Sequence, residues 1–196
     1  MFIELTDQLR CPAEHPESFL VLLPDQIEDR SVIAGQLGCP VCGRTFALEA
    51  GVLDTGDAPA SDEPGGTVLD PEALTTLAGL TGPGGYLTLV GPVAGLWAQV
   101  AELNPGVALV AVNPGSGVSE VPGVSVLRGG RISLKSGSMR GVVLGQPYGD
   151  DPYWVGEAAR VVLPGLRVVG EGADPPTDAI DLMASTGGVW VGTKRR

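Results

Sequence analysis

The sequence predicts an α/β chain in two parts. Three observations lead there. All three cysteines and the single histidine fall within the first 42 of its 196 residues. Residues 54–68 (DTGDAPASDEPGGTV) are rich in Asp, Pro, Gly, Ser and Ala with no apolar periodicity, which is a linker composition. From Leu69 onward, short continuous apolar runs alternate with segments that open on helix-start signals, the pattern of a mostly parallel sheet covered by helices. The expected organisation is therefore an N-terminal unit over 1–53, a linker over 54–68, and a sheet domain over 69–196 that closes on an antiparallel hairpin. There is no internal repeat.

Composition narrows the function. An apolar fraction of 43% and a mean hydropathy of +0.22 suffice for a buried core. No apolar run reaches the roughly 18–20 residues needed to cross a bilayer. The opening MFIELTDQLRCPAEH has early acids and no basic stretch followed by an apolar one, so it does not read as a signal peptide. The expectation is a soluble, cytoplasmic protein with no membrane contact. A formal charge of −11 repels phosphate backbones unless a basic patch intervenes. The one basic run is the terminal Lys194-Arg195-Arg196. Direct nucleic-acid binding is disfavoured. A basic protein partner is compatible with the charge, although solubility is the simpler explanation.

The N-terminal unit is organised by its ligand-type residues. The spacing is C-x3-H at Cys11 and His15, then 23 residues, then C-P-x-C-G at Cys39, Cys42 and Gly43. A short C-x-x-C turn brings two sulfurs to one tetrahedral ion, and Gly43 permits the positive φ such turns need. Cys11, His15, Cys39 and Cys42 form a Cys₃His set, a structural zinc combination with no open position for catalysis. A redox dithiol is the competing reading of Cys39 and Cys42. Such pairs belong in a strand-to-helix turn, whereas Gly43-Arg44-Thr45-Phe46 leads into a strand. His15 is the least certain ligand: a three-cysteine site completed by water is the alternative, and Glu14 is a weaker substitute. So small a unit has little core, so metal binding should supply much of its folding energy.

The sheet domain reads in order. Asp70 is an N-cap, Pro71 stands at the first helical position before EALTTLAGL, and Gly82-Pro83-Gly84-Gly85 ends the helix. Residues 86–91 (YLTLVG) are a buried strand and 95–103 (GLWAQVAEL) a helix. Strands follow at 107–112, 124–127 and 141–145, then a helix at 153–163 and a strand at 167–170. Residues 181–185 and 188–193 can pair as a hairpin across Thr186-Gly187. The crossover of residues 113–123 (NPGSGVSEVPG) is too short and too rich in Gly and Pro for a helix, so one sheet face should be partly uncovered there. That gap is a candidate partner surface. Trp97, Trp154 and Trp190 are expected in the core or at an interface.

Two resemblances attach to these residues. "LTDQLRCP" and "GQLGCPVCGRTFALEAGVLD" resemble the small zinc-binding activator subunit of tRNA, rRNA and release-factor methyltransferases. Cys39, Pro40, Cys42, Gly43, Arg44, Phe46, Gly51, Val52 and Leu53 fit its pattern. The C-x3-H in place of a first C-x-x-C leaves the fourth ligand open. The resemblance covers about a quarter of the chain. It implies a zinc-ribbon-like fold and a protein partner, a methyltransferase or a translation-related protein, gripped by extension of its sheet. Here both modules share one chain, so it also implies in-chain docking of the two domains.

The second resemblance covers residues 69–196. "LKSGSMRGVVLGQPY", "EAARVVLPGLRVVGEG" and "GGVWVGTKR" resemble the fourth-strand region, the helix with fifth strand, and the closing hairpin of class I S-adenosylmethionine-dependent methyltransferases. It implies a reduced Rossmann-like sheet and S-adenosylmethionine as a cofactor. Of the family's cofactor positions, Gly91 and Gly95 match the glycine loop, and Asn113 stands where an acid would grip the ribose. These three are vestigial cofactor-binding candidates. Against cofactor binding, Val93 replaces the middle glycine, Thr88 or Leu89 the preceding acid, and Arg140 the strand-four acid. Gly145-Gln146-Pro147-Tyr148 keeps only Pro and Tyr of an amino-methylating N/D-P-P-Y. A Pro-Tyr turn explains it more simply, and helix capping explains Asp150, Asp151 and Glu157 as well as acid catalysis does. The expected function is non-catalytic: a zinc-binding scaffold or regulatory protein with a degenerate methyltransferase-like domain and no catalytic residues. The rivals are an active methyltransferase with an atypical cofactor loop, and a zinc domain that activates a separate enzyme in trans.

Overall fold

The computed structural model of the chain describes residues 1–59, 66–115, 118, 123–175 and 177–195. Part of the expected linker and most of the expected crossover over 113–123 lie outside these residues. Among the described residues no helix is long and apolar enough to cross a membrane.

The fold is a mixed α/β arrangement around a largely parallel sheet. Its centre is built from β5 (Tyr86–Val90), β6 (Ala108–Val112), β7 (Val124–Arg128), β8 (Met139–Leu144) and β9 (Val162–Glu171). These pair in parallel in the order β7-β6-β5-β8-β9. Each reads as an apolar run because a parallel strand is covered on both faces; four of the five residues of β5 and of β6 are buried. The chain moves outward from β5 to β7 and then returns to β8 on the other side of β5. This reversal makes the β5/β8 boundary the switch point of a doubly wound sheet, the place where such folds bind ligands. Two antiparallel strands finish that side, β10 (Ile180–Thr186) and β11 (Val189–Lys194). β11 inserts between β9 and β10. The hairpin turns through Gly187 and Gly188, both at positive φ, as the sequence leads one to expect.

Helices form where the caps are. The Asp70 carboxylate accepts from Ala73 N at 2.8 Å to start α1 (Pro71–Ala78), and Gly79 at φ +66 ends it. After a 3-10 turn over Gly91–Leu96 comes α2 (Trp97–Leu103). Asp151 caps α3 (Pro152–Val161) by accepting from Tyr153 N. The described part of the crossover places Val118 against the same core as α1 and α2.

The N-terminal residues join this sheet. β1 (Val21–Glu28), β2 (Ser31–Gly38), β3 (Thr45–Glu49) and β4 (Val52–Asp54) run antiparallel to one another. Then β4 pairs in parallel with β7, Val52 opposite Val126 and Asp54 opposite Arg128. Eleven strands among the described residues thus form one sheet. The 3-10 helix Ile3–Gln8 covers the face of the sheet where the short β7–β8 connection carries no helix. Phe2 N donates to the Ser125 hydroxyl at 3.0 Å, Arg10 N donates to Ser133 O at 2.9 Å, and Leu5 and Leu9 share a core with Val110, Leu127 and Val142. The ends of the expected linker are also tied. Thr55 N donates to Arg128 O, and the amides of Val68 and Leu69 donate to the buried carboxylate of Glu171. Gln146 N donates to the second oxygen of that carboxylate, so Glu171 fastens the start of α1 and the loop after β8 to the end of β9.

Candidate metal centre and the switch point of the sheet

The ligand-type residues converge. One donor atom from each of Cys11, His15, Cys39 and Cys42 lies within 4.8 Å of the others, a grouping that can hold a metal ion. Cys11 Sγ is 3.7 Å from Cys42 Sγ, and Cys39 Sγ is 3.4 Å from His15 Nε2. The knuckle is set by the backbone: Gly43 N donates to Cys39 O, Cys39 N donates to Arg44 O, and Gly43 takes φ +71. The other half hangs on a loop closed by Cys11 N donating to Ser18 O at 2.9 Å. The His15 Nδ1–H donates to Pro16 O at 2.7 Å, which leaves Nε2 with its lone pair toward the sulfurs. Burial works to raise the Cys39 thiol, but the Cys42 and Val41 amides and the neighbouring thiols bring it down to about 6. Burial pushes the Cys11 thiol up to about 11. Three cysteines are free of disulfides, and Cys11 and Cys39 belong to the main core.

A charged network underlies the Cys11–Glu17 loop. Glu157 of α3 is buried and takes Arg131 and Arg160 on both oxygens, at 2.8–3.1 Å. Arg160 continues to Leu134 O, Ile132 O and Glu17. Burial works to raise the Glu157 pKa, and the guanidinium groups of Arg160 and Arg131 outweigh it and hold it below the ordinary value. A carboxyl lowered in the folded state contributes stability that is complete above the unfolded value of about 4.3 and is lost as pH falls through the folded one. Denaturant unfolding should therefore find Glu157→Gln about 2–3 kcal/mol less stable than wild type at pH 7. That difference should shrink below about pH 4. A gap that stays constant down to pH 3 would show that the ion pairs do not carry it.

Tyr148 packs on Gly91 at the switch point. Gly91 ends β5 at φ +75, and a Cβ there would lie 2.5 Å from the ring of Tyr148. The phenol ring, 4% exposed, therefore rests on the glycine and packs edge-to-face on Trp154 at 4.8 Å. Asn113, at φ +48 at the end of β6, donates from its amide to Gly129 O and accepts from Gly129 N, at 2.8 and 2.9 Å. It also faces the Tyr148 hydroxyl.

No protein-family model matches the chain, and no curated protein matches it in sequence. Solved structures resemble it in backbone. A complex containing the Haloferax volcanii Trm112 methyltransferase activator matches at TM-score 0.48 and 12% identity, covering 64% of this chain and 90% of that one. A SAM-dependent methyltransferase from Aquifex aeolicus matches at TM-score 0.46 and 16% identity, covering 64% and 88%. The antibiotic-resistance methyltransferase Kmr matches at 0.45 and 12%, covering 66% and 94%. These likenesses concern backbone shape; the chemistry below rests on this chain's residues.

Two expectations about the cofactor region change, those for Val93 and Arg140. Val93 does not project into the crevice; it is fully buried in the core beneath α1 and α2, against Gly145. Arg140 cannot stand for a cofactor-facing acid, because β8 starts at Met139 and Arg140 therefore sits at the opposite end of the sheet. There its guanidinium binds the carbonyls of Thr81, Gly82 and Pro83. Tyr148 does not present itself to a substrate, since it is packed over Gly91. Gly95 lies in the 3-10 turn with open space at its Cβ position. Sequence reasoning missed Glu171, one residue beyond the strand expected over 167–170, and the Arg131–Glu157–Arg160 cluster, for which the Glu157/Arg160 spacing of three within a helix was the available signal.

Proposed function

We propose that this chain is a non-catalytic binding protein, a zinc-stabilised scaffold or regulatory partner on a methyltransferase-like sheet that no longer takes its cofactor. The observation that carries the reading is the Tyr148 ring seated on Gly91, with Asn113 engaged by Gly129. Residues 1–53 are the zinc-ribbon-like unit, 54–68 the connection and 69–196 the methyltransferase-like unit. The donor set suits zinc. A tetrahedron with Zn–S bonds of about 2.3 Å and Zn–N bonds of about 2.0 Å has S···S edges of about 3.8 Å and S···N edges of about 3.5 Å. Cys11–Cys42 at 3.7 Å and Cys39–His15 at 3.4 Å approach those values. The ion would be structural, with four protein ligands and no open position. Free thiols at a metal site suit a reducing compartment, the cytoplasm.

The partner is a protein, and the resemblance of the N-terminal unit points to a methyltransferase or a translation-related protein. Activation in trans through β4 is disfavoured, because β4 already has β3 on one side and β7 on the other. Calorimetry with S-adenosylmethionine tests the reading. A bound cofactor has to displace a buried tyrosine ring, worth about 2–3 kcal/mol, and forgoes a charge-assisted bond at Asn113, worth about 1.5–3 kcal/mol. Together these take a micromolar site to a dissociation constant near or above 1 mM, at about 1.4 kcal/mol per factor of ten. Tyr148→Ala should tighten binding by about 30- to 150-fold. Micromolar affinity in the unmodified protein would overturn the non-catalytic reading in favour of an active methyltransferase.

A further inference from the structure

We propose that Glu17 is the positioning residue that keeps the His15 side of the metal centre in place, by latching the ligand loop to the β7–β8 connection and α3. The proposal rests on the zinc reading above. Its geometry is a continuous chain of contacts. His15 donates through Nδ1 to Pro16 O, and the next residue, Glu17, turns its carboxylate away from the cluster. One oxygen of that carboxylate accepts from Ser136 N at 3.1 Å, from the Ser136 hydroxyl at 2.5 Å, and from Arg160 Nη1 at 3.4 Å. The other faces Arg10 Nε at 3.5 Å. Arg160 is itself fixed by Glu157 and by the carbonyls of Ile132 and Leu134. A pocket of about 150 Å³ lies between the ligands Cys11 and His15 and this network.

The ties from this loop to Ser133, Ser136 and Arg160 each join residues more than a hundred positions apart. The loop that carries two of the four donors therefore has a long-range anchor on each flank: Arg10 N on Ser133 O before it, Glu17 on Ser136 after it. Between them Cys11 N closes on Ser18 O. Cys39 and Cys42 need no such help, since their knuckle is closed by its own backbone bonds. A metal centre loses its ion through the ligand that departs first. The half-site on the loop departs first once the latch is gone, because His15 is partly exposed whereas Cys11 and Cys39 are buried in the core. Groups that orient ligands from outside the coordination shell typically change metal affinity by 10–100-fold.

The measurement is the rate of zinc transfer from the zinc-loaded full chain to a chromogenic chelator. Glu17→Gln should release zinc about tenfold faster than wild type. Ser136→Ala, which keeps the backbone donor, should release it about threefold faster, and the double variant no faster than Glu17→Gln alone, since both act through one contact. Glu4→Gln breaks an exposed ion pair with Arg30 in the same N-terminal segment and should leave the rate unchanged. Glu17→Asp should recover part of the wild-type rate. If wild type binds zinc and both Glu17→Gln and Ser136→Ala release it within twofold of the wild-type rate, the latch is wrong and the metal reading stands. If wild type holds no zinc, the metal reading fails and the latch with it. A Glu4→Gln rate as fast as Glu17→Gln would also overturn the proposal, because any loosening of the segment would then suffice.

Discussion

Cys39→Ser should cost the chain its metal and the cooperative fold of its N-terminal half. Protein purified without added metal should carry about one zinc per chain in the wild type and almost none in the variant. Zinc bound by such a donor set in small peptides contributes on the order of 10–16 kcal/mol at neutral pH, while whole domains are stable by only about 5–15 kcal/mol. Cys39 is 3% exposed and packs in the same cluster as Leu5, Leu9, Leu37 and Phe46, which continues into Val110, Leu127 and Val142 of the parallel sheet. Unfolding should therefore spread beyond residues 1–53, and far-ultraviolet dichroism should show the whole transition move to lower temperature. His15→Ala should retain more zinc than Cys39→Ser, because water can take an imidazole's place on an ion still held by three thiolates. Full zinc occupancy in Cys39→Ser would remove the cluster from consideration as a metal site, and occupancy in His15→Ala equal to wild type would remove His15 from the ligand set.

Trp190→Ala should be the most damaging substitution outside the metal centre. The indole is fully buried in β11, donates from Nε1 to Gly149 O at 3.1 Å, and fills the space left by Gly170, where a Cβ would lie 2.3 Å from the ring. Its removal leaves a cavity between β9, β11 and the loop after β8, and orphans a buried carbonyl. Losses of this type run to about 3–5 kcal/mol, or roughly 10 °C in melting temperature for a chain of this size. A calorimetric shift under about 2 °C would mean that the hairpin closes over the void.

The strands of the parallel sheet were legible because burial on both faces writes a continuous apolar run, as in YLTLV and ALVAV. Two of the helices were legible from their caps, Asp70-Pro71 and the acid-proline pair Asp151-Pro152. Spacing marked the metal cluster. In-chain docking by sheet extension was implied by the resemblance, but which strand makes the junction could not be read from the sequence pattern. β1 lies at an edge with seven of its eight residues exposed, and it carries Pro24 and a break in register, so it has no alternation to detect. β4, the strand that makes the junction, has three residues. The cofactor region misled for a different reason: residue type along a loop does not say which way a side chain turns. Val93 turns into the core and Arg140 lies at the far end of β8, whereas the ring over Gly91 comes from Tyr148, a residue read only as part of a turn.

The seating of the first ten residues against Ser125 and Ser133 fixes an order of assembly. On the ribosome residues 1–10 emerge ahead of the β7–β8 connection, so they have nothing to lie on until that connection has appeared. Closing so wide a span carries an entropic cost that local contacts avoid. The knuckle at Cys39–Arg44 and the β1–β2 hairpin need only nearby partners and can form while the rest is still being made. Residues 1–10 thus wait for a partner made well after them, and until then Leu5 and Leu9 remain without the sheet that buries them.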